Sequence, residues 1–251
     1  MLGLEVGYRL IALVDKNRQG DLLGRIKGVR RKFAQDVGFL PPAVHIRDNL
    51  DLAPNQYRIT LTGVSTGEAT VYHDKEMAIN PGQVFGQIHG IATQDPAFGL
   101  EAVWVAKEQV SQAQTLGYTV VDAATVVTTH LTEMVRENLA DLLSYAETQK
   151  LLGEQPAEYQ KLLGELVPSR ITTAGIQRVL QGLLAERVSI RDLPLILEAV
   201  GEALTASSST AQIVEHVRAR LARQISSACT AEGGFLPVLT LSPAWEQAFA
   251  E

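Results

Sequence analysis

Catalysis and metal binding need convergent groups, and the five histidines of this 251-residue chain are the first place to look for them. His45, His73, His89, His130 and His216 form no H-x-x-x-H pair and no His/Cys/carboxylate set at metal-ligand spacing, so each reads as a packing or surface residue. The single cysteine, Cys229, can make no internal disulfide, and a lone thiol builds no metal site. Gly82-x-x-x-Gly86 and Gly86-x-x-x-Gly90 lack the Lys-Ser/Thr of a phosphate loop, and no G-x-G-x-x-G occurs. Asp15, Asp21 and Asp48 could pair as carboxylates only if the fold brought them together. The expectation is a protein that is not an enzyme and carries no cofactor or metal.

Two stretches remain whose chemistry suits recognition. Arg25, Lys27, Arg30, Arg31 and Lys32 concentrate positive charge over residues 25–32, which could meet phosphate or an acidic partner. A solvated helix face is the stronger reading, because no aromatic residues interleave the basic ones for base stacking. In Asp95-Pro96-Ala97-Phe98-Gly99-Leu100-Glu101-Ala102-Val103-Trp104, Asp-Pro starts a turn, so Phe98 stands at or just past a loop. It could anchor a partner there or plug the core between two units, and the residues alone favour the plug.

The elements that would position these residues can be read from periodicity. Leu22, Ile26, Val29, Phe33 and Val37 recur at helical spacing, with Asp21 placed to cap the start, Gly38 at the C-cap and Pro41-Pro42 barring continuation. A strand is expected over Glu5–Val14, with Gly7 marking close backbone approach or a bend, then a polar turn over Asp15–Gly20. Further strands fall at 43–46 and 57–62, and 68–72 returns as a hairpin arm. Residues 74–122 then change character. Short β-rich runs at 76–79, 83–86, 100–105 and 118–121 alternate with turns, and a helix is expected over 107–116. Such a stretch suggests a small β-rich unit inserted into the first domain. One long helix is expected over 123–150, followed by an all-α run with helices at 162–166, 174–186, 192–204 and 211–226, capped by Thr172-Thr173, Ser189 and Ser209-Thr210. A strand over 233–241 and a helix opening at Ser242-Pro243 close the chain.

The balance of 22 basic against 28 acidic residues, a formal charge of −6, gives no general attraction to nucleic acid or anionic lipid. No apolar run approaches the roughly 18–20 residues needed to cross a bilayer, and Met1-Leu2-Gly3-Leu4-Glu5 lacks the order of a secretory signal, so a soluble chain is expected.

Several blocks resemble one family. GYRLIALVD (Gly7–Asp15), FLPPAVHIRDN (Phe39–Asn49), INPG (Ile79–Gly82), DPAFGLEAVW (Asp95–Trp104) and ATVVTTHL (Ala124–Leu131) are similar, in order and spacing, to the cytoplasmic part of the FlhA/LcrD family of type III secretion export gates, its flagellar branch above all. The resemblance implies a docking platform at the cytoplasmic face of the bacterial inner membrane, preceded in family members by a multi-helix membrane half. It implies a homo-oligomeric, nonameric ring that receives flagellar export chaperones with bound substrates beside other export-apparatus components, with no nucleic acid. It also implies that Asp95, Phe98 and Thr129 form the chaperone–substrate surface, Thr129 reading otherwise as an ordinary helix-start residue. His130, Gly82 and Pro81 are given turn or packing roles, and Gly7 a structural one. The expected fold is α+β and multidomain: a discontinuous α/β subdomain (1–73 and 123–145), an inserted β-rich subdomain (74–122), a helical subdomain (146–226) and the start of a truncated further α/β subdomain (227–251).

Overall fold

The computed structural model describes residues 2–15 and 21–250, so Lys16–Gly20 of the expected polar turn lie outside the described residues. The chain divides into two compact units, residues 1–147 and 148–251.

In the first unit, β1 (Leu2–Val6) lies inside a four-stranded sheet of order β2-β1-β3-β4. The strand expected over Glu5–Val14 stops at Val6 and gives way to a 3₁₀ turn (Tyr8–Leu10) and α1 (Ile11–Val14). Gly7 explains the break: its N–H bonds the Gln56 carbonyl at 2.8 Å, and any Cβ there would collide with the Ala53 carbonyl oxygen. The close approach read from the sequence is real, and it ends the strand.

The next element, α2 (Leu22–Val37), buries Leu22, Ile26 and Phe33 and ends at Gly38, whose φ of 103° is the left-handed cap expected there. Asp21 occupies the N-cap position without making a side-chain capping bond. From α2 the chain returns as β2 (Val44–Asp48), parallel to β1, as a helical crossover requires. β3 (Gln56–Leu61) and β4 (Val64–Thr70) complete the sheet as an antiparallel hairpin. Leu4, Val6, Tyr57 and Ile59 are all buried, while Glu5 meets Arg47 and Arg58 across the neighbouring strands.

The second sheet, order β6-β7-β5-β8, comprises β5 (Glu76–Ile79), β6 (Ile91–Gln94), β7 (Glu101–Val105) and β8 (Thr119–Asp122), with antiparallel pairings. Its small core of Ala78, Ile88, Val105 and Ala113 is partly roofed by α3 (Val110–Thr115). The strand expected over 83–86 does not form, and β6, which was not expected, does. Residues 83–86 fold back instead, with the Phe85 N–H on the Leu116 carbonyl.

The single helix expected over 123–150 is three: α4 (Ala123–Glu137), α5 (Leu139–Leu142) and α6 (Tyr145–Gly153). Asn138 makes the first break by folding its amide onto the Met134 carbonyl at 2.7 Å, the local side-chain competition that asparagine offers a helix.

The second unit is helical: α7 (Ala157–Leu166), α8 (Thr173–Ala185), α9 (Leu193–Ala203), α10 (Thr210–Arg220) and α11 (Ala222–Cys229). Ile176, Leu180, Leu183, Leu197, Val200 and Val217 are fully buried. Thr172 caps α8 as expected, whereas Asp192, not Ser189, caps α9. The helix expected over 211–226 is interrupted at Leu221. Residues 233–241 form no strand among the described residues and leave Phe235, Val238 and Leu239 exposed, before α12 (Pro243–Ala250).

Candidate functional site

The turn joining β6 to β7 is built around Asp95. Its backbone N–H bonds the Leu100 carbonyl, its carbonyl accepts from the Gly99 N–H, and its Oδ2 accepts from the Phe98 N–H at 2.8 Å. Gly99 sits at φ 70°, where a side chain would be strained. The result is a rigid five-residue turn in which Asp95 is 3% exposed and Phe98 is 61% exposed. The core-plug reading of Phe98 is overturned: the carboxylate goes inward to hold the backbone, and the ring is left in solvent. At the base of this hairpin Gln94 pairs with Glu101, and both line a hollow of about 310 Å³ with Asn80, Thr93, Val103 and Tyr118.

Thr129 lies in the second turn of α4 and is half-buried. It is not a helix-start residue, because Asp122 caps α4 by accepting from the Thr125 N–H. Thr125 accepts from Arg25, while the Thr128 and Thr132 hydroxyls bond the carbonyls of Ala124 and Thr128. No such bond engages Thr129 among the described residues, so its hydroxyl stays available.

Asp95 and Phe98 are thus brought together within one turn, while Thr129 stands on α4 with no bond that ties it to them among the described residues. Its neighbour His130 faces β3. His130 is buried, its Nδ1 2.7 Å from the Tyr57 hydroxyl and its ring edge-on to the tyrosine. Burial lowers the His130 pKa, and the Asp95 and Glu137 carboxylates only partly oppose this. The Tyr57 pKa is pushed up, first by burial and then by Asp95, so the phenol keeps its proton. Sequence reasoning gave His130 a packing role. Its buried position was legible in the apolar stripe of α4, but the Tyr57 partner, 73 residues away, was not.

Two of the five residues of the basic cluster are committed within the fold. Arg25 makes two short bonds to Asp122 and one to Thr125, and Arg30 donates twice to the Pro41 carbonyl. Burial raises the Asp122 pKa, but the Arg25 and Thr125 hydrogen bonds and the Arg25 charge outweigh it and hold the group at about 2. Lys27, Arg31 and Lys32 remain exposed.

The chain carries one G-x-S-x-G match, Gly63-Val64-Ser65-Thr66-Gly67. It sits on the β3–β4 hairpin, with Ser65 paired to Thr60, and not on the strand-to-helix elbow that exposes a nucleophile. Among the described residues, no group of three or more His, Cys, Asp and Glu is placed to hold a metal ion, and no helix is long and apolar enough to cross a membrane.

With this geometry in place, the chain can be set beside known proteins. It belongs to the FHIPEP family, whose model matches residues 1–251. Within that family it is 49% identical to the flagellar biosynthesis protein FlhA of Caulobacter vibrioides over 250 residues, covering 99% of this chain and 35% of that protein. It is 48% identical to FlhA of Escherichia coli over 225 residues, covering 90% of this chain and 32% of that protein. The chain therefore spans about a third of the length of these relatives. Among solved structures it resembles the Chlamydia pneumoniae CdsV protein, with a TM-score of 0.85 at 22% identity, covering 100% of this chain and 73% of that one. It also resembles the nonameric EscV cytosolic domain of a type III secretion system, with a TM-score of 0.68 at 22% identity, covering 92% and 67%. At such identities these structures establish the mixed α/β fold.

Proposed function

We propose that this chain is the docking region of a flagellar type III protein export gate, receiving export chaperones with their bound substrates and catalysing nothing itself. The observation that carries the reading is the Asp95–Gly99 turn, in which a buried carboxylate holds the backbone while the Phe98 ring stands in solvent. The turn holds the backbone that carries the ring, and full burial of that ring contributes about 1.5–3 kcal/mol. Asp95 fixes the turn, and Thr129 offers a hydroxyl that sets orientation.

The FlhA relatives support the flagellar branch. A place at the cytoplasmic face of the inner membrane is proposed with it. The nonameric EscV assembly and the CdsV–CdsO complex support a homo-oligomeric ring with further export-apparatus partners. The subdomain division is proposed as read from the sequence: 1–73 with 123–145 as host, 74–122 as insert, 146–226 as the helical subdomain, and 227–251 as the opening of a further one. Binding of nucleic acid or an acidic partner through residues 25–32 is the weaker alternative, since Arg25 and Arg30 are engaged internally.

The test is titration of the chain with a flagellar export chaperone bound to its substrate. Wild type binds at micromolar strength or tighter, and Phe98→Ala weakens binding without shifting the melting transition. Equal binding by wild type and Phe98→Ala removes the site.

A further inference from the structure

β6 is an edge strand, and among the described residues no strand lies on its far side. Its register tells which backbone groups are left over. The Asp95 N–H bonds the Leu100 carbonyl, and bonded pairs in an antiparallel ladder recur at every second residue. Thr93 and Ile91 therefore spend their backbone groups on Ala102 and Trp104 of β7. Ala92, opposite Val103, and Gln94, opposite Glu101, aim theirs at the open edge, and both residues are exposed. The Asn80 N–H agrees with this phase, since it reaches the Glu101 carbonyl from the β5 side of β7.

Side chains of directly opposed residues share a face, so Ala92, Gln94, Glu101 and Val103 lie together on the side that α3 only partly covers. All four line the hollow of about 310 Å³, with Asn80 and Tyr118 among their neighbours there. The charge of that hollow is one-sided. Glu101 is exposed and is the one charged residue lining it, no cation stands beside it there, and the Tyr118 hydroxyl is taken up by the Gly86 carbonyl.

We propose that β6 is a strand-addition site, in which an extended segment of the docked chaperone–substrate complex pairs with Ala92 and Gln94 and lays an arginine or lysine across the hollow against Glu101. This rests on the docking reading above and extends it from the Phe98 turn to the strand that leads into the turn. Main-chain bonds supply the hold and the hollow supplies the selectivity, the division of labour usual when a strand joins a sheet edge. Reach and charge decide the occupant. A residue opposite Gln94 shares its face, and Glu101 lies two strand spacings away, about 10 Å. A long side chain crosses that gap, and a cation is what an uncompensated carboxylate receives best. So short an edge holds a partner weakly by itself, and the Phe98 ring just past Gln94 supplies the second hold.

The first test needs no chaperone. A blocked pentapeptide, Thr-Val-Arg-Val-Thr, is titrated into the chain at millimolar concentration while the protein amides are followed by NMR. The Ala92 and Gln94 amides should shift and exchange more slowly, with those of β1 and α8 unmoved. N-methylating alternate peptide nitrogens should abolish these changes in one phase and spare them in the other, as a one-sided ladder requires. Replacing the arginine with glutamine should weaken binding about threefold or more, and Glu101→Gln should erase that difference. The second test is chaperone–substrate titration, in which Glu101→Gln should weaken binding by a similar factor with the melting transition unmoved.

Ala92 and Gln94 amides that stay still overturn strand addition and leave docking through Phe98 standing. Equal binding of the arginine and glutamine peptides overturns the assignment of a basic side chain to the hollow. An arginine-selective peptide site beside chaperone–substrate binding untouched by Glu101→Gln overturns the named occupant. If Phe98→Ala is silent as well, the docking reading falls while the edge site remains.

Discussion

The basic face of α2 and the β6–β7 turn are the two regions of this molecule that sequence alone would nominate for binding, and they resolve in opposite ways. On α2 the conspicuous charges are partly spent at home: Arg25 ties the helix to the start of α4, and Arg30 braces the Pro41 turn. On the turn, the one charged group goes inward and the apolar ring goes out. Charge density in a sequence therefore says little about availability, since each cation can be claimed by the fold. A short acidic residue before proline can instead be the scaffold that presents a hydrophobic neighbour.

The contrast can be broken at either end. The largest effect is expected from Phe98→Ala, which should cost about 1.5–3 kcal/mol of chaperone–substrate binding, roughly ten- to hundredfold in Kd, with a melting temperature within a degree or two of wild type. Arg25→Ala should act on stability instead, lowering it by about 1–2 kcal/mol in chemical denaturation because a bidentate, partly buried pair and a bond to Thr125 go together. Docking should be unchanged if α2 is structural.

Acid should sharpen the same point. Asp122 titrates near 3.8 when unfolded and at about 2 when folded, so its contribution is complete above the unfolded value and is lost as pH falls from 3.8 through about 2. After discounting for its partial exposure, on the order of 1 kcal/mol is at stake, and an Arg25→Ala chain should lose that acid sensitivity. Smallest of all, Lys27→Ala, Arg31→Ala and Lys32→Ala should each change stability by less than about 0.5 kcal/mol and leave docking unmoved. Salt-sensitive DNA binding lost in Arg31→Ala would reverse the ranking of the two regions.

Where a local rule decides the structure, the sequence was legible. The stripe of α2 and its Gly38 cap, the β3–β4 hairpin and the Thr172 cap are all set by neighbours within a few residues. What escaped depends on distant partners or on competition. Residues 8–14 have the apolar content of a strand but are turned into helix by the crowding of Gly7 against Ala53. Ile91–Gln94 is too short and polar to announce itself and becomes a strand only because β7 lies beside it. Residues 233–241 have strand composition and find no ladder among the described residues. Of the site, Asp95 and Phe98 could be placed on a turn by Asp-Pro chemistry, yet nothing local says which one faces inward. The Tyr57–His130 bond was beyond any periodicity argument.

The position of β6 at the margin of its sheet has one more implication. Among the described residues its outer backbone groups have no neighbouring strand, an arrangement that invites a second molecule to add on and then a third. Brevity and the side chains of Thr93 and Gln94 discourage that growth. Replacing both with valine should add open-ended, fibril-forming association on concentration, visible as light scattering that rises beyond that of the unsubstituted chain.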